Sequence, residues 1–128
     1  MSPTKVLVAD DSDIVRERLI EMLSGIGGLG VILEATNVLG ARDMIVAEKP
    51  DIAILDLQMP GRNGLDILRD IKASNPATTI VILTNYPYPQ YRIRCMEEGA
   101  DFFFDKSSEF EKVPEMMRTY QSQQGQSA

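Results

Sequence analysis

The 128-residue chain has no histidine and only one cysteine, Cys95. Without histidine it cannot itself carry a phosphohistidine, a histidine-based triad or a histidine-rich metal site, so any histidine chemistry must come from a partner. A single cysteine excludes an internal disulfide and constrains the redox compartment only weakly. No apolar run approaches the roughly eighteen residues of a membrane span, and no basic segment precedes a long apolar one. Membrane association is therefore not expected, and a cytoplasmic location is. Lys and Arg, 13 in all, never stand side by side, and the formal net charge is −6. A nucleic-acid surface needs a clustered basic footprint, so no direct binding of nucleic acid is expected. The 44% hydrophobic and 25% charged composition is that of an ordinary globular protein. The length fits one domain, expected over residues 1–120, with a polar, flexible tail at 121–128.

What is present is a set of short apolar runs that end on reactive residues. Residues 5–9 lead into Asp10 and Asp11, 52–55 into Asp56, 80–83 into Thr84, and the aromatic run 102–104 into Asp105 and Lys106. Runs of this length, rich in Val and Ile and separated by helix-length segments, read as buried parallel strands. A second strand is expected at 31–36. Ser12 or Asp13 can cap a first helix running to about Ser24, with Val15, Leu19, Met22 and Leu23 inward and Arg16, Glu17 and Glu21 outward. A second helix fits 37–49 through Leu39, Ile45 and Val46, and a turn over 58–64 leads to a third at about 65–73. The fourth is expected at about 90–98, closed by Gly99. The last should start near Pro114, which is poorly tolerated in a helix interior, and fade by about Gln121. Five strands alternating with five helices imply an α/β doubly wound (βα)₅ fold, its five-stranded parallel sheet covered on both faces.

Ligands of open α/β sheets lie beyond the carboxyl ends of the strands, so the reactive residues should share one crevice. Two carboxylates about 4 Å apart repel by about 4 kcal/mol at an effective dielectric of about 20. Asp10, Asp11 and Asp56 together therefore call for a neutralising cation. Oxygen ligands without His or Cys select Mg²⁺, with Mn²⁺ as the alternative. Asp56, central in the sheet, is placed to be the nucleophile toward a phosphoryl group. Thr84 and Lys106 can hold phosphoryl oxygens and offset developing charge. Singly, each residue has a plainer explanation as a helix cap or loop residue. The joint placement at every strand end does not.

Asp10-Asp11, the segment Asp56-Leu-Gln-Met-Pro-Gly-Arg-Asn-Gly64, Thr84 and Lys106 resemble the receiver domain of two-component response regulators, over about residues 4–120. The resemblance implies flavodoxin-like strand order and Mg²⁺-dependent transfer of phosphate to Asp56 from a phosphohistidine of a sensor histidine kinase or histidine phosphotransfer protein. It also implies that Asp11 and Asp56 ligate the metal directly, Asp10 through water, and Gln58 through its backbone carbonyl. Thr84 and Phe103 match the switch pair, in which the hydroxyl moves to the phosphoryl group as the ring turns inward. Signalling to a downstream protein would use the face from the fourth to the fifth helix.

Three features depart from the usual pattern. Ser107 stands where a proline commonly follows the lysine, which puts a cis peptide there in question. Asn85 is bulkier than the small residue common after the switch threonine and should slow loading by small donors. Pro87 and Pro89 stiffen the approach to the fourth helix. Gln58, Asn85 and Tyr86 are placed to tune access to the phosphoryl group. Tyr88, Tyr91, Arg92 and Arg94 could dock a partner, whereas Phe110, Val113, Met117 and Tyr120 have core spacing.

Other signals fail on their context. Gly25-Ile-Gly-Gly-Leu-Gly30 has the letters of a dinucleotide fingerprint but follows a helix and precedes a strand, the reverse of what pyrophosphate binding needs. An aspartate-nucleophile phosphatase would want a second Asp where Gln58 stands. The expectation is thus a phosphoacceptor rather than an enzyme, acting as a stand-alone receiver. A phosphorelay intermediate or phosphate sink, the receiver part of a longer DNA-binding regulator, and an unphosphorylated pseudo-receiver are the alternatives.

Overall fold

The computed structural model describes residues 3–59 and 64–126. The elements are β1 (Thr4–Ala9), α1 (Asp13–Ser24), β2 (Leu29–Ala35), α2 (Val38–Glu48), β3 (Ile52–Leu55), α3 (Gly64–Ser74), β4 (Thr79–Thr84), α4 (Pro89–Glu97), β5 (Phe102–Asp105) and α5 (Lys112–Gln126). All strand pairs are parallel, in the order β2-β1-β3-β4-β5. The chain winds one way from β1 to β2 and the other way from β3 onward. This places the topological switch point between β1 and β3, the two strands that end on aspartates.

The alternation of side chains along each strand divides the core. Leu7, Ala53, Leu55, Ile80, Ile82 and Phe103 pack under α2, α3 and α4. Val6, Val8, Ile52, Ile54, Val81 and Leu83 pack under α1 and α5. Buried on both faces, these strands are apolar at every position rather than at every second one, as the runs in the sequence required. Ser12 caps α1 by accepting from the Val15 N–H, and Asn37 caps α2 by accepting from the Gly40 N–H at 2.8 Å.

Several boundaries and faces differ from expectation. β2 begins at Leu29, two residues early, because Leu29 pairs with Thr4 before the register shifts between Thr4 and Val6. A bulge there takes Gly30 into the strand, where an added Cβ would lie 2.8 Å from the Pro3 Cβ. On α2 the buried stripe is Val38, Ala41 and Ile45, while Leu39 and Val46 are exposed. Small Ala41 lets this face approach the sheet, so residue size overrode hydrophobicity. α5 starts at Lys112, which puts Pro114 in the first turn, where its missing N–H costs nothing. It also runs past Gln121, whose side-chain amide donates to the Gly27 carbonyl at 2.9 Å, so residues expected in a tail extend the helix to Gln126. Residues 60–63 of the expected turn, and 127–128, lie outside the described residues.

Candidate metal and phosphoryl site

Asp10 and Asp56 directly follow β1 and β3, and both carboxylates are buried, at 2% and 7% exposure. Main-chain bonds carry the sheet's pairing one step past the strand ends: the Asp10 N–H donates to the Ala35 carbonyl and the Asp56 N–H to the Ala9 carbonyl. Each aspartate also accepts from the N–H two residues on, Asp10 from Ser12 at 2.8 Å and Asp56 from Gln58 at 2.9 Å. These Asx turns fix both rotamers, and in the first the chain passes directly into the α1 cap.

Lys106 arrives from the end of β5 with its side chain 8% exposed. Its Nζ bridges Asp10 at 2.5 Å and Asp56 at 2.7 Å. Burial pulls the ammonium pKa down, but the hydrogen bonds and charges of the two aspartates prevail and hold it above the ordinary lysine range. Its backbone N–H donates to the Thr84 carbonyl at 2.8 Å, which ties the lysine to the end of β4. Thr84 is fully buried, and its hydroxyl accepts from the Tyr86 N–H at 3.1 Å. Exposed Asp11 completes the group, since one oxygen each from Asp10, Asp11 and Asp56 lies within 4.8 Å of the others.

Three carboxylates against one ammonium leave two negative charges uncompensated in a partly desolvated crevice. An all-oxygen donor set carrying that surplus fits a hard divalent cation. Asp10, Asp11, Asp56, Thr84 and Lys106 are thus gathered at one end of the sheet. Phe103 is 3% exposed, and its ring is inward beneath α4. Asn85 and Tyr86 are exposed just beyond Thr84, and Gln58 is exposed just beyond Asp56.

Three contributors were not legible as site residues. Arg16, expected to face outward, folds back over the β1–α1 turn. It donates to the Asp10 carbonyl at 2.8 Å and pairs with Asp13 and Glu34. Its position six residues after Asp10, at the end of the first turn of α1, is the only signal for that role. Around Lys106, the Asp105 carboxylate accepts from the Ser107 N–H and from the Ser107 and Ser108 hydroxyls. The first two bonds, donated by Ser107, hold the Asp105 pKa below the usual carboxylate range. The peptide before Ser107 is trans, as are all the described ones. Tyr91 packs edge-on against Phe103, with centroids 6.0 Å apart. It belongs to the packing between α4 and Phe103 rather than to an exposed docking face. Arg92 and Arg94 are exposed as expected, while Phe110, Val113 and Met117 are core.

A profile of the response regulator receiver domain matches residues 6–118. The chain is 32% identical over 114 residues to the response regulator GacA of Pseudomonas aeruginosa, covering 89% of this chain and 53% of that protein. It is 32% identical over 102 residues to the DNA-binding transcriptional activator DevR/DosR of Mycobacterium tuberculosis, covering 80% and 47%. It is 36% identical over 101 residues to a cyclic di-GMP phosphodiesterase of Thermotoga maritima, covering 79% and 26%. The chain therefore spans about half, or less, of the length of these curated relatives. Among solved structures, the signal receiver domain of NarL from Mycobacterium tuberculosis superposes with a TM-score of 0.84 at 26% identity, covering 93% of this chain and 96% of that one. Fold, acidic crevice and family match coincide: the chain belongs to the response regulator receiver domain family.

Proposed function

We propose that this receiver accepts a phosphoryl group onto Asp56 from the phosphohistidine of a sensor histidine kinase or histidine phosphotransfer protein, and then signals to a protein partner. The observation that carries the reading is the Lys106 ammonium bridging two buried carboxylates at the switch point of the sheet. Asp11 and Asp56 would hold Mg²⁺ directly, Asp10 through water and Gln58 through its carbonyl. When bound, such an ion offsets the surplus charge of the carboxylates and of the incoming phosphoryl oxygens. In the transfer, an Asp56 carboxylate oxygen forms the O–P bond as the P–N bond to the donor imidazole breaks. The imidazole leaves with the electron pair and is reprotonated from water. Lys106, already aimed at Asp56, follows the charge onto a phosphoryl oxygen, and the Thr84 hydroxyl, which accepts from the Tyr86 N–H, donates a hydrogen bond to another phosphoryl oxygen. The switch pair Thr84 and Phe103 passes that change to α4.

Output through the face from α4 to α5 is supported by exposed Ile93, Met96 and Phe102 and by a groove of about 750 Å³ between β5 and α5. The groove is lined by Phe102, Phe104, Met116 and Tyr120 and lies away from the acidic crevice. We read the chain as a diffusible cytoplasmic phosphoacceptor, not a metabolic enzyme, with no nucleic-acid contact of its own. Among the described residues no helix is long and apolar enough to cross a membrane. A second reading, the receiver portion of a longer DNA-binding regulator, is favoured by the partial coverage of relatives such as DevR/DosR. A relay role differs in that the partner takes the phosphate rather than binding the phosphorylated form.

Intact-mass spectrometry after acetyl phosphate treatment, with and without Mg²⁺, tests the proposal. A single phosphoryl adduct is expected that needs Mg²⁺ and is absent from Asp56→Asn. No adduct under any of these conditions, or one that persists in Asp56→Asn, would overturn it.

A further inference from the structure

Arg16 stands at the end of the first turn of α1 with its side chain 12% exposed, and its guanidinium joins three elements. Nη1 donates to the Asp10 carbonyl at 2.8 Å, Nε pairs with Glu34 of β2 at 3.3 Å, and Nη2 pairs with Asp13 of α1. The planar fork presents its donors in fixed directions, so the two outer carboxylates set the direction of the bond to Asp10. That bond ends on the peptide joining Asp10 to Asp11. A peptide unit is planar, so holding its oxygen also holds the Asp11 N–H and Cα. The two aspartates differ in what else restrains them. The Asp10 carboxylate is held by the Ser12 N–H and by Lys106. Among the described residues no hydrogen bond or ion pair holds the exposed Asp11 carboxylate, although it lies in the cluster with Asp10 and Asp56. Its aim comes from the main chain, while repulsion from the other two carboxylates works to turn it out to solvent. The charge of Arg16 is already matched elsewhere, since Asp13 and Glu34 set two carboxylates against one guanidinium. What the residue gives the crevice is direction.

We propose that Arg16 is a positioning residue: by clamping the Asp10–Asp11 peptide it keeps the Asp11 carboxylate turned toward Asp10 and Asp56, and so preorganises the acidic cluster for a divalent cation. The inference rests on the Mg²⁺ site proposed above, not on the phosphoryl transfer that follows ion binding. Holding an ion requires Asp11 to be confined close to two like charges, and a clamp made on folding meets that cost before the ion arrives. The clamp touches neither the cation position nor Asp56. Its loss should therefore show in how much Mg²⁺ the protein needs, and leave the rate with Mg²⁺ in excess nearly alone. Charge and positioning predict opposite signs here. Removing a cation from the neighbourhood of three carboxylates would by itself tighten Mg²⁺ binding. Loosening Asp11 weakens it.

The test is a Mg²⁺ titration of the whole chain followed by its amide resonances, in wild type, in Arg16→Lys, which keeps the charge and loses the fork, and in Arg16→Met, which keeps most of the stem. Resonances of the folded state report its own affinity, which a loss of stability alone does not change. Both variants are expected to raise the Mg²⁺ Kd about threefold to tenfold, the scale of one hydrogen bond. With Mg²⁺ in excess, their loading from acetyl phosphate should stay within about twofold of wild type. Before any Mg²⁺ is added, the Asp11 amide resonance should already be displaced in both, and an unmoved resonance would contradict the clamp. A Kd that is unchanged or tighter, or a loss in Arg16→Met that Arg16→Lys fully restores, would overturn the inference in favour of charge alone. Slower loading at an unaltered Kd would overturn it as well. Arg16→Lys, the milder change, decides the matter if Arg16→Met does not fold. A wild type that binds no Mg²⁺ would overturn the inference together with the metal assignment. One that binds Mg²⁺ but takes up no phosphate would overturn the phosphoacceptor reading alone.

Discussion

Within single strands of this sheet, two regions built on opposite principles meet one residue apart. Ile54 and Leu55 are sealed in the core, and Asp56 follows. Val8 and Ala9 are followed by Asp10, and Ile82 and Leu83 by Thr84. The apolar segments agree with every neighbour, since both faces are covered and each side chain gains by burial. The strand ends do the reverse, gathering three carboxylates with a single ammonium, which pairs with two of them. The first region holds the fold together. The second is tolerated because the first is stable enough to impose it, and its surplus charge is what, in the proposed function, would make it receptive to a cation and a phosphoryl group.

That contrast can be broken from either side. Ile54→Ala should cost about 2–5 kcal/mol in urea denaturation, while whatever fraction remains folded still loads phosphate. A small cost would mean that the centre of the sheet is not what supports the site. Gly64→Ala should cost about 1–3 kcal/mol, since its Cβ would lie 2.6 Å from the Leu57 Cβ and 2.8 Å from the Leu57 carbonyl oxygen. Asp56→Asn should move stability the other way, by about 1 kcal/mol of gain, because Asp10 still pairs with Lys106 and like-charge repulsion falls. Asn85→Ala should speed loading from acetyl phosphate by roughly twofold, equivalent to roughly 0.4 kcal/mol of barrier, and equal rates would remove the steric role of Asn85.

The smallest effect concerns pH. Hydrogen bonds from Ser107 depress Asp105, one from Arg69 depresses Glu98, and one from Lys112 depresses Glu109. A depressed carboxylate stabilises the fold above its unfolded pKa, and that contribution fades as the pH falls through the folded value. Their partners Ser107, Arg69 and Lys112 are exposed and solvent screens the pairs, so a thermal melt should drop only slightly between neutral pH and about pH 4. A rise over that interval would contradict the assignment.

Most of the fold was legible because strands covered on both faces leave unbroken Val/Ile runs, and the site because those runs end on charged residues. What escaped detection depends on distant or size-dependent effects. Leu39 and Val46 look like core residues until small Ala41 sets the contact face of α2. The start of β2 depends on a bulge opposite Thr4, and the length of α5 on a bond from Gln121 to Gly27, 94 residues away in sequence. Arg16 reads as a surface residue of α1, yet it curls onto the Asp10 carbonyl, a contact visible only once the turn is built.

The most direct test of the contrast between a consistent core and a charge-surplus crevice is a thermal melt of wild type and Asp56→Asn, each with and without Mg²⁺. The account predicts that Asp56→Asn melts higher without Mg²⁺ and that Mg²⁺ raises the wild type more than the variant, narrowing or reversing the order. A wild type that already melts higher without the ion, and that Mg²⁺ leaves unmoved, would contradict it.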